Sequence, residues 1–212
     1  MQFDLETLPP QNRYKLMSST IVPRPIAWAV TQDEAGRTNA APFSFFNMFS
    51  STPPVIALGI SRRPNGAEKD TWINIRRSKE FVVNLVSEEL TGAMSISAID
   101  FAQEVSEIEE AGLKTMPSLK VKPPRIALSP VALECEMTQG IDLAEGNTLV
   151  IGKVLAMHID DELILDKDRC HVDTRRLTLI GRMENPDGYV HTREHFKWPR
   201  INRQEWEGGR RE

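Results

Sequence analysis

Thr38-Asn39-Ala40-Ala41-Pro42-Phe43-Ser44-Phe45-Phe46-Asn47 is uncharged, aromatic and rich in small polar groups, with a proline at its centre. A buried strand is ordinarily β-branched and free of proline. In an extended chain Phe43 and Phe45 share one face, and Pro42, Ser44 and Phe46 share the other. A strand that cannot pair at Pro42 leaves backbone groups free nearby. With Asn39 and Ser44, those groups suit contact with a flat, hydrogen-bonding heterocycle. An edge strand that sends its aromatics into a core satisfies the same pattern.

Working outward, the apolar run Val55-Ile56-Ala57-Leu58-Gly59-Ile60 leads into Ser61-Arg62-Arg63-Pro64-Asn65-Gly66-Ala67-Glu68-Lys69-Asp70-Thr71. Trp72-Ile73-Asn74-Ile75 then reads as a helix start. Three cations and the hydroxyls of Ser61 and Thr71 therefore surround a turn that opens a helix. Free N–H groups at a helix start, with arginine and lysine, suit a phosphate. A carboxylate would repel that phosphate, so Asp70 is expected to be the N-cap, with Thr71 and the cations facing the anion. A solvated surface turn is the plainer reading of the same residues.

Strands are expected over Ile21–Thr31, Thr38–Phe49, Val55–Ser61, Glu80–Val86, Val131–Gln139, Thr148–Ile159 and Leu177–Met183. The prolines of Val22-Pro23-Arg24-Pro25 hold their predecessors extended. Helices are expected from Lys69 or Asp70 to Arg77, from Ser87 onward (Leu90, Ala93, Met94 and Ser97 at helical spacing), and over Ser106–Ala111, stopped by Gly112. Many strands joined by turns, with a few helices inserted, make the chain mainly β and favour an antiparallel barrel. No linker divides it, so residues 1–212 form a single domain with extended segments at 1–12 and 190–212.

The net charge is −4, with 26 basic and 30 acidic side chains and no long basic run, which argues against nucleic acid as a partner. No apolar stretch approaches the ~20 residues of a membrane span. The first residues lack the basic start and apolar run of a signal peptide, so the expected compartment is the cytoplasm. Two cysteines make no disulfide framework, and Cys135 reads as a small core residue. The run Gly208-Gly209-Arg210-Arg211-Glu212 looks like a frayed tail.

Several short motifs occur in a telling order: Tyr14-Lys15-Leu16, Val22-Pro23-Arg24-Pro25-Ile26-Ala27-Trp28, Asn39 to Phe46, Lys69-Asp70-Thr71 and Glu80-Phe81-Val82-Val83-Asn84. Val105-Ser106-Glu107, Leu133-Glu134-Cys135, Ile151-Gly152-Lys153-Val154 and Gly181-Arg182 follow. This ordered set, over roughly residues 12 to 190, resembles the flavin reductase-like proteins of the FMN-binding split-barrel superfamily, the group that includes flavoredoxin. The resemblance implies an antiparallel Greek-key split β-barrel, FMN as cofactor, and a homodimer with flavin sites near the subunit interface.

FMN needs its phosphate neutralised, hydrogen bonds at the ring edge and an apolar wall. Arg62, Lys69 and Thr71, with Ser61 alongside, are the phosphate candidates. Asn39, Ser44 and the backbone near Ala41 are candidates for the ring edge. Trp28, Pro42, Phe43, Phe45 and Phe46 are candidates for the wall. Arg24 either reaches the cofactor or braces the barrel entrance. No GxGxxG follows a strand, so NADH or NADPH would have to stack on the flavin itself. The flavin would carry the chemistry, and no protein nucleophile is required. The activities this implies are NAD(P)H:flavin reduction, electron carriage to a redox protein partner, or FMN-dependent turnover of a small organic substrate. A non-catalytic flavin sensor is the alternative of another class.

His191-Thr192-Arg193-Glu194-His195 matches the H-x-x-E-H zinc-protease pattern, which needs a helix and a third ligand. Gly188 and Pro199 leave little room for a long helix, and no zinc is expected. His158 reads either as an ordinary strand residue or as a polar group near the substrate side of the flavin. Cys170 and His171 sit beside a surface turn and make no metal site.

Overall fold

The computed structural model describes residues 1–208 of the 212-residue chain, and the expected frayed tail falls outside them from residue 209 on. Seven strands form the main sheet: β1 Ala27–Gln32, β2 Thr38–Phe43, β3 Phe46–Ser51, β4 Pro54–Ile60, β5 Glu80–Asn84, β6 Val131–Asp142 and β7 Thr148–Ile159. Their order is β2-β1-β5-β6-β7-β4-β3, with every neighbouring pair antiparallel. Strands β2 and β3 lie at opposite ends of that order, yet only Ser44 and Phe45 separate them in the chain. The sheet therefore curls until its ends meet. One residue beyond the β3–β4 ladder, the Gly59 N–H donates to the Phe45 carbonyl at 2.7 Å. This is an antiparallel split β-barrel with inserted helices.

The expected single strand over Thr38–Phe49 is thus two strands, broken at Ser44–Phe45. The break also undoes the expected alternation. Phe43 is buried inside the barrel, whereas Phe45 is 46% exposed. Pro42 lies on β2 at the end of the strand order, where its missing N–H costs no pairing on the open side.

Alternation on β1 and β5 fills two apolar layers. Ala27, Ala29, Phe81 and Val83 face the barrel interior with Leu58, Cys135 and Val150, and Ile75 of helix α2 (Asp70–Ser78) closes that layer. Trp28, Val30 and Val82 face outward beneath Leu90, Met94, Ile108 and Ile126. Because both faces are covered, these strands read as continuous apolar runs. Gly152 is required by close approach, since a Cβ there would lie 2.6 Å from the Phe81 ring.

Helix α1 (Pro10–Thr20) starts inside the segment expected to be extended. Its hydrophobic stripe is weak, and Ser18 is its only buried residue, so periodicity does not announce it. Helices α3 (Thr91–Ile96) and α4 (Glu107–Glu110) cover the outer face. The expected strand over Leu177–Met183 shortens to Ile180–Arg182, which pairs with Arg24–Pro25 and with Tyr189–His191. The last described element is α5 (Arg203–Gly208). No helix among the described residues is long and apolar enough to cross a membrane.

Candidate functional site

A cleft runs along Ala41–Ser44, where the barrel seam leaves β2 uncovered. One end is bounded by Asn39, Arg63, Lys69, Thr71 and the Ser97–Asp100 segment. The other holds about 330 Å³ between Tyr14, Ser44, Ser95, Arg182 and Tyr189. Pro42, Phe43 and Ala98 line both, so the two adjoin.

The first end is cationic and rich in free donors. Lys69 is the N-cap of α2 and makes no side-chain capping bond. The first bonds back to its carbonyl come from Trp72 and Ile73, which leaves the Asp70 and Thr71 N–H groups outside the helical ladder. Asp70 is therefore the first helical residue rather than the expected N-cap. Its carboxylate lies 2.5 Å from Arg63 Nη2, so it is neutralised locally. The Arg63 Nε is buried and donates to nothing among the described residues. Asp100 Oδ1 stands 3.9 Å from both that Nε and Lys69 Nζ, and its side chain is half exposed. An orphaned guanidinium N–H, an ammonium and a helix N-terminus fit a phosphate, with Asp100 as the anion it would displace.

The adjoining cleft lined by Asp33, Glu104, Glu107 and Glu109 is larger, about 400 Å³. Its carboxylates make it a poor place for a phosphate.

Of the residues expected from sequence, Asn39, Ala41, Pro42, Phe43, Ser44, Lys69 and Thr71 gather on this cleft. Three of them are already engaged, Ser44 by accepting from Arg24 Nε at 3.4 Å. Thr71 is buried, and its hydroxyl is already donated to Asn39 Oδ1 at 2.9 Å. Asn39 also donates to Glu107 Oε1 at 2.8 Å, which holds it as scaffold between β2, α2 and α4.

The others are elsewhere. Trp28 is fully buried, with its Nε1–H donated to Ser97 Oγ at 2.8 Å, so it is core and not a ring wall. Arg24 is buried; it donates to the Ser18, Ile21 and Met183 carbonyls, which ties α1 to the Ile180–Arg182 strand, and its Nε donates to Ser44 Oγ at 3.4 Å. Phe45 packs on Tyr14 with ring centroids 6.2 Å apart, outside the cleft lining. Phe46 lies against the interior cluster. Ser61 and Arg62 are exposed and line neither end, and Arg62 donates to the Gly66 carbonyl at 3.0 Å.

Sequence reasoning counted Arg63 among the three cations of this turn but named its neighbour Arg62 for the phosphate, because only the turn geometry decides which arginine points inward. It also gave no role to Tyr14 or Arg182, although both fall in the motifs that carried the family resemblance.

Two buried carboxylates support the barrel from outside. Glu107 accepts from Asn39 and from the Ala40 N–H at 3.2 Å, and burial pushes its pKa up. Glu134 is fully buried, and burial pushes its pKa up too, but contacts with His158 (2.5 Å) and the N–H groups of Leu119 and Lys120 outweigh it and hold the group below the usual range. His158 is thus clamped to Glu134 and lines neither end of the cleft. Cys135 is buried, and burial, with Glu134 next to it, pushes its thiol well up, so it is inert.

The H-x-x-E-H segment is strand and coil rather than helix. His191 Nδ1 lies 3.4 Å from Glu88, and His195 Nε2 accepts from Arg175 Nε at 3.2 Å.

A barrel with a phosphate-suited cleft along its seam is the architecture of flavin-binding split barrels. The family model of the flavin reductase-like domain matches residues 17–175, and the chain belongs to that family. An uncharacterized protein of Deinococcus radiodurans is 39% identical over 209 residues, covering 97% of this chain and 92% of its own. Among solved structures, a Pseudomonas fluorescens 2-nitrobenzoate 2-nitroreductase superposes with a TM-score of 0.87 at 30% identity, covering 96% of this chain and 98% of that one. A Shewanella frigidimarina protein with a split barrel domain shares the fold, with a TM-score of 0.80 at 21% identity over 95% of this chain and all of that one. The chain is a flavin-related oxidoreductase of this family.

Proposed function

We propose that the protein binds FMN along the Ala41–Ser44 cleft and works as an NAD(P)H:flavin oxidoreductase. The observation that carries the reading is the Arg63–Lys69 pair at an uncapped helix start, adjoining a proline-lined cleft. When bound, FMN supplies the redox chemistry, accepting hydride at N5 from NADH or NADPH. Arg63, Lys69 and the Asp70 and Thr71 N–H groups hold the phosphate. Pro42, Phe43 and Ser44 provide a wall and a hydroxyl for the ring. Phe43 is nearly fully buried, so the wall is fixed before the ligand arrives. The chain contributes orientation and water exclusion rather than a nucleophile.

The working unit is a homodimer. Edge strand β3 presents Met48 and Phe49, each 68% exposed, beside an unpaired row of backbone groups, and pairing would cover them. A monomeric mass in solution would contradict this.

The decisive test is paired titration of FMN and riboflavin. Lys69→Ala and Arg63→Gln should weaken FMN about ten- to hundredfold, the worth of a charge-assisted contact of roughly 1.5–3 kcal/mol, and leave riboflavin nearly unchanged. Equal weakening of both ligands would remove these residues from the phosphate role. Anaerobic bleaching by NADH or NADPH then separates a reductase from a carrier reduced only by a protein partner.

A further inference from the structure

The far end of the cleft is built differently from the phosphate end. Arg182 lies over the Tyr189 ring at 4.6 Å from its centroid, and its Nη2 donates to Asn185 Oδ1 at 2.8 Å and to the Pro186 carbonyl. Its Nε and Nη1 make no hydrogen bond among the described residues, and it joins none of their ion pairs. A second guanidinium is close: Arg24 is pushed down chiefly by burial, with Arg182 among the charges acting on it.

The orientation of Asn185 follows from Arg182, which only donates. The amide oxygen must face the guanidinium, so Asn185 Nδ2 donates to Tyr14 Oη, 2.6 Å away. Tyr14 accepts there, and its own hydroxyl proton is left to point elsewhere. The free polar groups that Arg182 and Tyr14 offer at this end are therefore N–H and O–H donors, flanked by the half-exposed rings of Tyr14 and Tyr189 and by Pro42. A site that offers donors and positive charge between ring faces suits a small planar ligand bearing acceptors only.

We propose that this end is a second ligand subsite, for an aromatic carboxylate, in which Arg182 and Tyr14 bind the carboxylate and Asn185 is the positioning residue that aims both. The proposal rests on the flavin reading, because it places this ligand beside the cofactor ring on Pro42–Ser44. It names the class of small molecule that the bound flavin would meet.

The test is calorimetric titration of benzoate, benzamide and adenosine 2′-phosphate into the protein, with and without FMN. Benzoate is expected to bind at least tenfold more tightly than benzamide. Arg182→Gln should remove most of that difference while FMN affinity stays within about twofold. Tyr14→Phe, which keeps the ring, should weaken benzoate several-fold, and it decides the matter if the Arg182 variant does not fold. Equal binding of benzoate and benzamide would overturn the proposal, as would tighter binding of the nucleotide. Loss of FMN affinity in Arg182→Gln would also overturn it, making Arg182 a cofactor residue. If the chain binds no FMN at all, the flavin reading fails, and the benzoate–benzamide difference in the unloaded protein still reads the subsite.

Discussion

Glu134 and Glu107 are both buried carboxylates, one pinning a loop and the other helix α4 to the same barrel, yet their acidities move in opposite directions. Glu134 is met by two backbone N–H groups and an imidazole. Glu107 is met by one amide side chain, the Ala40 N–H and its own backbone N–H, with Asp70 acting on it as a like charge. Burial penalises both charges. The nature of the partners, an imidazole for Glu134 and a like-charged carboxylate near Glu107, decides whether the penalty is offset. The contrast separates a clamp that stays charged from a support that is costly to charge and that borders the phosphate end.

The largest expected effect is on the clamp. Glu134→Ala removes the partner of His158 and orphans the Leu119 and Lys120 N–H groups, and should cost about 3–5 kcal/mol. Urea unfolding measures this, and a loss under about 1 kcal/mol would deny Glu134 its role. The next effect concerns acid. A lowered carboxylate pKa stabilises the fold above the ordinary value near 4.3 and loses that contribution as pH falls through the lowered one. Wild-type stability should therefore drop below about pH 4, and Glu134→Gln should flatten that drop.

Glu107 should show the reverse sign in the neighbouring window. Its raised pKa means that the folded protein holds the proton more tightly, so stability declines as pH rises from about 4.3 through the raised value. Glu107→Gln should abolish that decline, with a change under about 1 kcal/mol at neutral pH. Unfolding curves across pH 4 to 7 that are identical for the variant and the wild type would contradict it. The smallest effect is on binding. Asp100→Asn should tighten FMN a few-fold by removing an anion that faces Arg63 and Lys69, and Glu107→Gln should do so less. Glu134→Gln, remote from the cleft, should leave FMN affinity unchanged. Equilibrium dialysis at low salt resolves these steps, and looser binding in Asp100→Asn would mean that Asp100 orders the site rather than competing for it.

Much of the strand content was legible because two-sided burial writes long apolar runs, as in Phe81-Val82-Val83. The Lys69-Asp70-Thr71 helix start was legible from its polar opening and the helix that follows. The break at Ser44–Phe45 was not, because the residues on either side both suit strands and only barrel closure forces the turn. Helix α1 escaped notice because it buries almost nothing.

The sequence by itself determined the class of fold, the family and one end of the cleft. Hydrophobic periodicity, proline placement and helix-start chemistry are local properties, readable within a few residues. The tertiary structure alone decided which arginine faces the cationic end of the cleft and that Trp28 is core. It alone built the far end from Tyr14, Arg182 and Asn185, since Tyr14 and Asn185 meet across 171 positions of sequence. Such contacts depend on how the sheet closes and where each loop lands, and no short-range pattern records the direction in which a side chain ends up pointing.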